Sequence, residues 1–116
     1  MVNSIYLKTV LSETNKATEQ QLILFALLNL GILDSLANGT ISSSDALQIF
    51  FHADNCLFVH RSLHNRQADD IMSRGIQLSD LFDILPPKEA QREFQREVAT
   101  MRALCLSLLE EKQLAA

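Results

Sequence analysis

The chain has 116 residues, 47% of them hydrophobic, with 14 acidic residues against 10 basic ones and a net charge of −4. An apolar share this high with so little net charge excludes a disordered chain, and the acidic balance argues against a nucleic-acid binder, whose affinity rests on a basic surface. Three glycines and two prolines are too few to turn the corners of a β-sandwich or barrel, so the expected fold is all-α.

Met1–Lys8 lacks the basic region and apolar run of a signal peptide. Leu7, Val10 and Leu11 stand at i, i+3 and i+4, which suits a short helix within residues 1–12; Ile5-Tyr6-Leu7 with Thr9-Val10 could also begin a strand, but nothing later offers it a partner, so helix is the expectation. Ser12–Lys16 reads as a polar connector. Thr18 and Gln21 hold capping-box spacing, and the helix they open should run to about Ala37. There Asn38-Gly39 supplies the stop, because both residues tolerate the left-handed conformation. Leu22–Leu33 is apolar nearly all round, interrupted by Asn29 and Gly31. A surface helix shows a polar face, so this one must be surrounded. As twelve residues of helix it spans about 18 Å, short of the roughly 30 Å of a bilayer core. No membrane span is therefore expected, and a cytoplasmic protein is.

Ser42 and Asp45 again hold capping-box spacing. Ala46, Leu47, Ile49, Phe50, Ala53, Leu57 and Phe58 follow with loose helical periodicity, with Asp54-Asn55 as a candidate break. A short helix is predicted from about Leu63 to Arg74, closed by Gly75, and then a turn capped by Ser79 or Asp80 through Leu85. Pro86-Pro87 is the sharpest punctuation. The residue before a proline is pushed out of helical conformation, and Pro87 suits the first turn of a new helix. That helix should reach about Lys112. Phe94, Val98, Met101, Cys105 and Leu108 are spaced 4, 3, 4, 3 along it, the rhythm of a helix packed lengthwise on another. The whole reads as one domain over residues 1–116, a bundle of four to six helices with a long central apolar helix and a long C-terminal helix.

The segment Gly31-Ile32-Leu33-Asp34-Ser35-Leu36-Ala37-Asn38-Gly39-Thr40-Ile41-Ser42, continuing to Asp45-Ala46, resembles part of a family of small all-helical bacterial proteins of unknown function. In those proteins a helix ending in leucine, a small residue and Asn-Gly is followed by a capped short helix. The resemblance implies a small all-helical fold. It transfers no site residues.

Four side chains able to bind metal recur every four residues: His52, Cys56, His60 and His64. On one unbroken helix each step of four advances about 40°, so neighbours share a face. His60 and His64 have the spacing of helical zinc sites, although no glutamate follows the first histidine as a zinc protease requires. The competing reading packs Cys56 in the core and leaves the histidines as ordinary polar residues. His60–Gln67 also holds Arg61 and Arg66 without an acid, an anion-site candidate if Ser62 caps a helix that points the same way. Cys56 with His60 one turn away is a conceivable nucleophile and base, but burial among apolar neighbours would raise the thiol pKa. Two cysteines are too few for a disulfide scaffold and suit a reducing compartment.

The functional expectation is a non-enzymatic interaction protein without a cofactor. It is read as a homodimer, with Leu24, Leu28, Asn29 and Gly31 of the apolar helix and Phe94, Val98, Met101 and Leu108 of the heptad helix at the interface. A lone polar residue such as Asn29 in an apolar seam can fix register or partner choice. The alternatives are a small regulator or immunity-type protein acting on a protein partner through its acidic middle, and a metal- or nucleic-acid-binding regulator built on residues 52–67.

Overall fold

The two longest helices set the frame. In a computed structural model that describes residues 4–14 and 17–113, α2 (Thr18–Ala37) and α6 (Pro87–Gln113) share the largest helix–helix contact. They run antiparallel, with Asp34 paired to Arg102 at 3.6 Å and Glu19 to Lys112 at 3.9 Å. α5 (Arg66–Ile84) packs along the other side of α6. Three short helices close the remaining faces: α1 (Leu7–Thr14), α3 (Ser43–Ile49) and α4 (Ala53–Phe58). A five-residue π turn, Val59–Leu63, continues α4. The described residues thus hold six α-helices and no strand, as the scarcity of glycine and proline implies.

The spacing pattern of α6 maps onto the core. Phe94, Val98, Met101, Cys105 and Leu108 are all buried, facing the α2 stripe of Leu22, Phe25, Ala26, Asn29, Leu33 and Leu36. α2 is longer than its apolar run. Its 20 residues reach about 30 Å, so by length and composition the whole helix could cross a bilayer, and the length argument against a membrane span fails. Its buried stripe makes it the core helix of this bundle.

Several helix ends follow their sequence signals. Asn38 and Gly39 (φ +73°) end α2. Ser42 and Asp45 exchange both bonds of a capping box, each at 3.0 Å. Leu85 is extended and α6 starts at Pro87. Others differ. α2 starts one residue early, with Ala17 at the N-cap position, so Thr18 is helical rather than a cap. The break between α3 and α4 falls at Phe50–His52, ahead of Asp54-Asn55. α5 runs unbroken through Gly75 to Ile84. Of the connector predicted over Ser12–Lys16, Ser12 to Thr14 belong to α1, and Asn15 and Lys16 lie outside the described residues, as do Met1–Asn3.

The middle of the chain is organised by two residues. Gly75 lies under the Phe51 ring, which a Cβ at that position would penetrate. Phe51 in turn meets Phe50 edge-on at 5.2 Å. Asn55 is buried and ties the N-terminal segment down. Its Oδ1 accepts from the Leu7 N–H (2.9 Å), and its Nδ2 donates to the carbonyls of Ile5 (2.8 Å) and Phe50 (2.7 Å). It therefore caps α1 from another helix. The Ile5 N–H donates to the Ile49 carbonyl at 2.7 Å, and Leu7 and Leu11 enter the core.

Candidate functional site

The four-residue recurrence of His52, Cys56, His60 and His64 does not produce one face, because the chain there is not one helix. His52 precedes α4 as its N-cap residue. Its Nε2 lies 2.9 Å from the Ile5 carbonyl, which can only accept, so Nε2 carries the proton. Its ring meets Tyr6 at 5.1 Å. Cys56 is half-buried within α4, and burial pushes its thiol above the ordinary value. His60 sits in the π turn with Nδ1 3.4 Å from Asp69 Oδ2. His64 ends that turn in the left-handed region (φ +47°) and is exposed. His52 and His64 are thus set apart from the Cys56–His60 pair, and among the described residues no three His, Cys, Asp or Glu side chains are grouped to hold a metal.

The anion-site expectation fails for a comparable reason. Ser62 lies inside the π turn, and Asn65 caps α5, accepting from the Ala68 N–H at 2.9 Å. Arg61 and Arg66 are exposed. Arg74 does not join them. It donates to Asp70 at 3.1 Å and to both oxygens of Glu97 at 2.9 and 3.1 Å, fastening α5 to α6. Burial works to lower its pKa, but the Glu97 and Asp70 carboxylates outweigh that and raise it.

The interface expectation needs a larger correction. Phe94, Val98, Met101 and Leu108 are buried against their own chain, and Asn29 is fully buried in α2. Its Nδ2 donates to the Phe25 carbonyl at 3.2 Å, while Oδ1 meets no hydrogen-bond partner among the described residues. These side chains are spent on packing within the one chain. Leu24 and Leu28 are half-buried against the core. Gly31 alone of the eight is exposed, with open space where a Cβ would stand. The single chain covers most of its two apolar helices by packing them on each other.

The large apolar side chains left exposed lie elsewhere and are spread over several helices, Ile84 at the end of α5 being the most exposed. Leu27 is 49% exposed on α2 and Leu106 44% exposed on α6. Leu27 stands two turns from Asp34, and Leu106 one turn from Arg102, each on the same face as that ion pair. Because α2 and α6 are antiparallel, both leucines fall on one side of the helix pair, with Gly31 beside them. A separate groove of about 690 Å³ runs between the α2–α3 loop and α6, floored by Leu36, Phe94 and Val98 and edged by Phe82.

Residues 14–115 match the model of a protein of unknown function, DUF3969. The chain belongs to the DUF3969 family. Searches of curated proteins and of solved structures gave no match. The family match begins at Thr14, so in this DUF3969 chain nearly all of α1, with Leu7 and Leu11, lies ahead of the matched region. Asn55, which holds α1, is inside it. Sequence reasoning missed Asn55 because Asn commonly marks a turn. No local signal distinguishes a turn asparagine from one that caps a distant helix.

Proposed function

We propose that this chain is a non-enzymatic interaction module that self-associates, two copies meeting through the outward face of α2 and the adjoining face of α6. The observation that carries the reading is the exposure of Leu27 and Leu106 on one side of the α2–α6 pair. The open surface at Gly31 lets another helix approach closely.

Charge placement favours a second copy as the partner. Each rung across the pair carries its acid on α2 and its base on α6: Asp34 with Arg102, and Glu19 with Lys112. A twofold axis parallel to these helices lays α2 of one copy over α6 of the other at the same height. Asp34 then faces Arg102 in both halves of the contact. Such exposed pairs add little affinity, but they select this pairing over one that sets acid on acid. Leu27→Glu and Leu106→Glu test the reading. Both positions face solvent in a single copy, so the helical circular dichroism spectrum should persist while association is lost. Association that survives both substitutions would reject this face.

A further inference from the structure

A groove of about 540 Å³ separates α1 from α4 and the π turn, a volume within the range of small-molecule sites. Hydrogen-bond donors line both of its walls. Lys8, Thr9 and Ser12 come from α1, and Arg61 and Ser62 from the π turn, a rare local form that recurs at functional sites. Among the described residues none of these five side chains is spent on the fold. The lysines and arginines held in ion pairs are Arg74, Arg96, Arg102 and Lys112. The serine and threonine hydroxyls bonded within the chain are those of Ser4, Ser35, Ser42, Thr100 and Ser107. Asp54 is the one acid on the walls and pairs with neither cation, so the groove is net positive. It also holds apolar surface that folding leaves in water, with Tyr6 49% and Leu57 47% exposed along it. Asn55, which caps α1 from α4, fixes the two walls against each other. Arg61 shares this groove with Lys8 and not with Arg66, so it is not the site expected from Ser62 as a helix cap.

The geometry points to this groove as a binding site for small phosphate monoesters that carry an apolar group. A phosphate monoester presents three strong acceptor oxygens and close to two negative charges at neutral pH. The groove answers with an ammonium and a guanidinium from opposite walls, and with three hydroxyls free to donate. A carboxylate, with two oxygens and one charge, uses less of that set. The apolar group of the ligand lies against Tyr6 and Leu57 and removes their surface from water. The site stands apart from the Leu27 and Leu106 face, so it does not depend on self-association.

Tyr6 is the one tyrosine of a chain without tryptophan, so tyrosine emission reads this groove. Hexyl phosphate titrated into the full chain at low salt should change that emission and saturate at about millimolar concentration. It should bind about tenfold more tightly than inorganic phosphate, which lacks the apolar group, and than hexanol, which lacks the charge. Lys8→Gln and Arg61→Gln should each weaken it by about tenfold, the loss of one charge-assisted hydrogen bond. Both side chains are exposed, so unchanged circular dichroism should show that the variants fold. Arg66 is an exposed cation off the groove, and Arg66→Gln should leave the affinity within about twofold of wild type. No saturable change by about 10 mM hexyl phosphate, or inorganic phosphate or hexanol bound as tightly, would overturn the assignment. So would Lys8→Gln and Arg61→Gln affinities within about twofold of wild type, or an equal loss in Arg66→Gln, since either places the anion outside the groove.

Discussion

Removing the Asn55 side chain should loosen the N-terminal helix before anything else. The amide makes three hydrogen bonds of 2.7 to 2.9 Å, and the residue is 1% exposed. In Asn55→Ala the buried Leu7 N–H loses its acceptor and the Phe50 carbonyl loses a donor. The Ile5 carbonyl keeps His52. A buried group left unpaired costs roughly 1–3 kcal/mol, so two such losses give about 3 kcal/mol. A domain has about 5–15 kcal/mol in all, so the change is large. With a urea slope of about 2 kcal/mol/M, the midpoint should fall by about 1.5 M. An eight-residue helix does not persist alone, so amide exchange of residues 7–11 should accelerate before that of α2 and α6. Asn55→Asp should be worse at neutral pH, because a carboxylate oxygen would replace the amide that donates to two carbonyls. A midpoint shift under about 0.5 M, equal to about 1 kcal/mol on that slope, would refute the reasoning.

Two helical glycines should respond with opposite sign. Gly31→Ala meets open space and should stabilise dilute protein by about 0.5–1 kcal/mol. Gly75→Ala drives a methyl group into the Phe51 ring and should cost about 1–3 kcal/mol despite the better helix former. Urea midpoints of the pair check both. Burial pushes the Cys105 thiol up to about 12 from 9.0. The folded state therefore holds this proton more tightly than the unfolded chain does. The stability it contributes is complete below pH 9 and is lost as pH rises toward 12, with a slope of at most about 1.4 kcal/mol per pH unit. Comparing wild type with Cys105→Ala across that window isolates the effect, which should be absent in the variant.

Elements whose signal is local were legible in the sequence. The Ser42/Asp45 capping box, the Asn38-Gly39 stop, the Pro86-Pro87 boundary and the buried heptad stripe of α6 all depend on residues within a turn or two of each other. What stayed hidden depends on residues distant in sequence. Gly75 reads locally as a stop, and only Phe51 packed on it shows that it is a close approach. Asn55 reads as a break, and only Leu7, 48 positions away, reveals the cap. The histidine recurrence assumed one straight helix, whereas the break at Phe50–His52 and the π turn re-aim its members. Which apolar residues stay outside was not legible, because composition measures how much apolar surface exists, not which of it the fold turns inward. The heptad face is spent on α2, and Leu27 and Leu106 are among the large apolar side chains left outside.

The central claim is that these two leucines hold two copies together, and sedimentation equilibrium across a concentration series reaching about millimolar chain tests it most directly. Burying a leucine fully is worth roughly 1.5–3 kcal/mol, so four half-exposed leucines across a twofold contact supply about 4 kcal/mol, a dissociation constant of about 1 mM. Wild type should approach about 26 kDa, twice the 13.0 kDa chain. Leu27→Glu should stay near 13.0 kDa, because losing two of the four leucines, about 2 kcal/mol, raises the dissociation constant by about thirtyfold. A wild-type chain that remains at 13.0 kDa throughout the series, or a Leu27→Glu variant that associates as wild type does, would contradict the account.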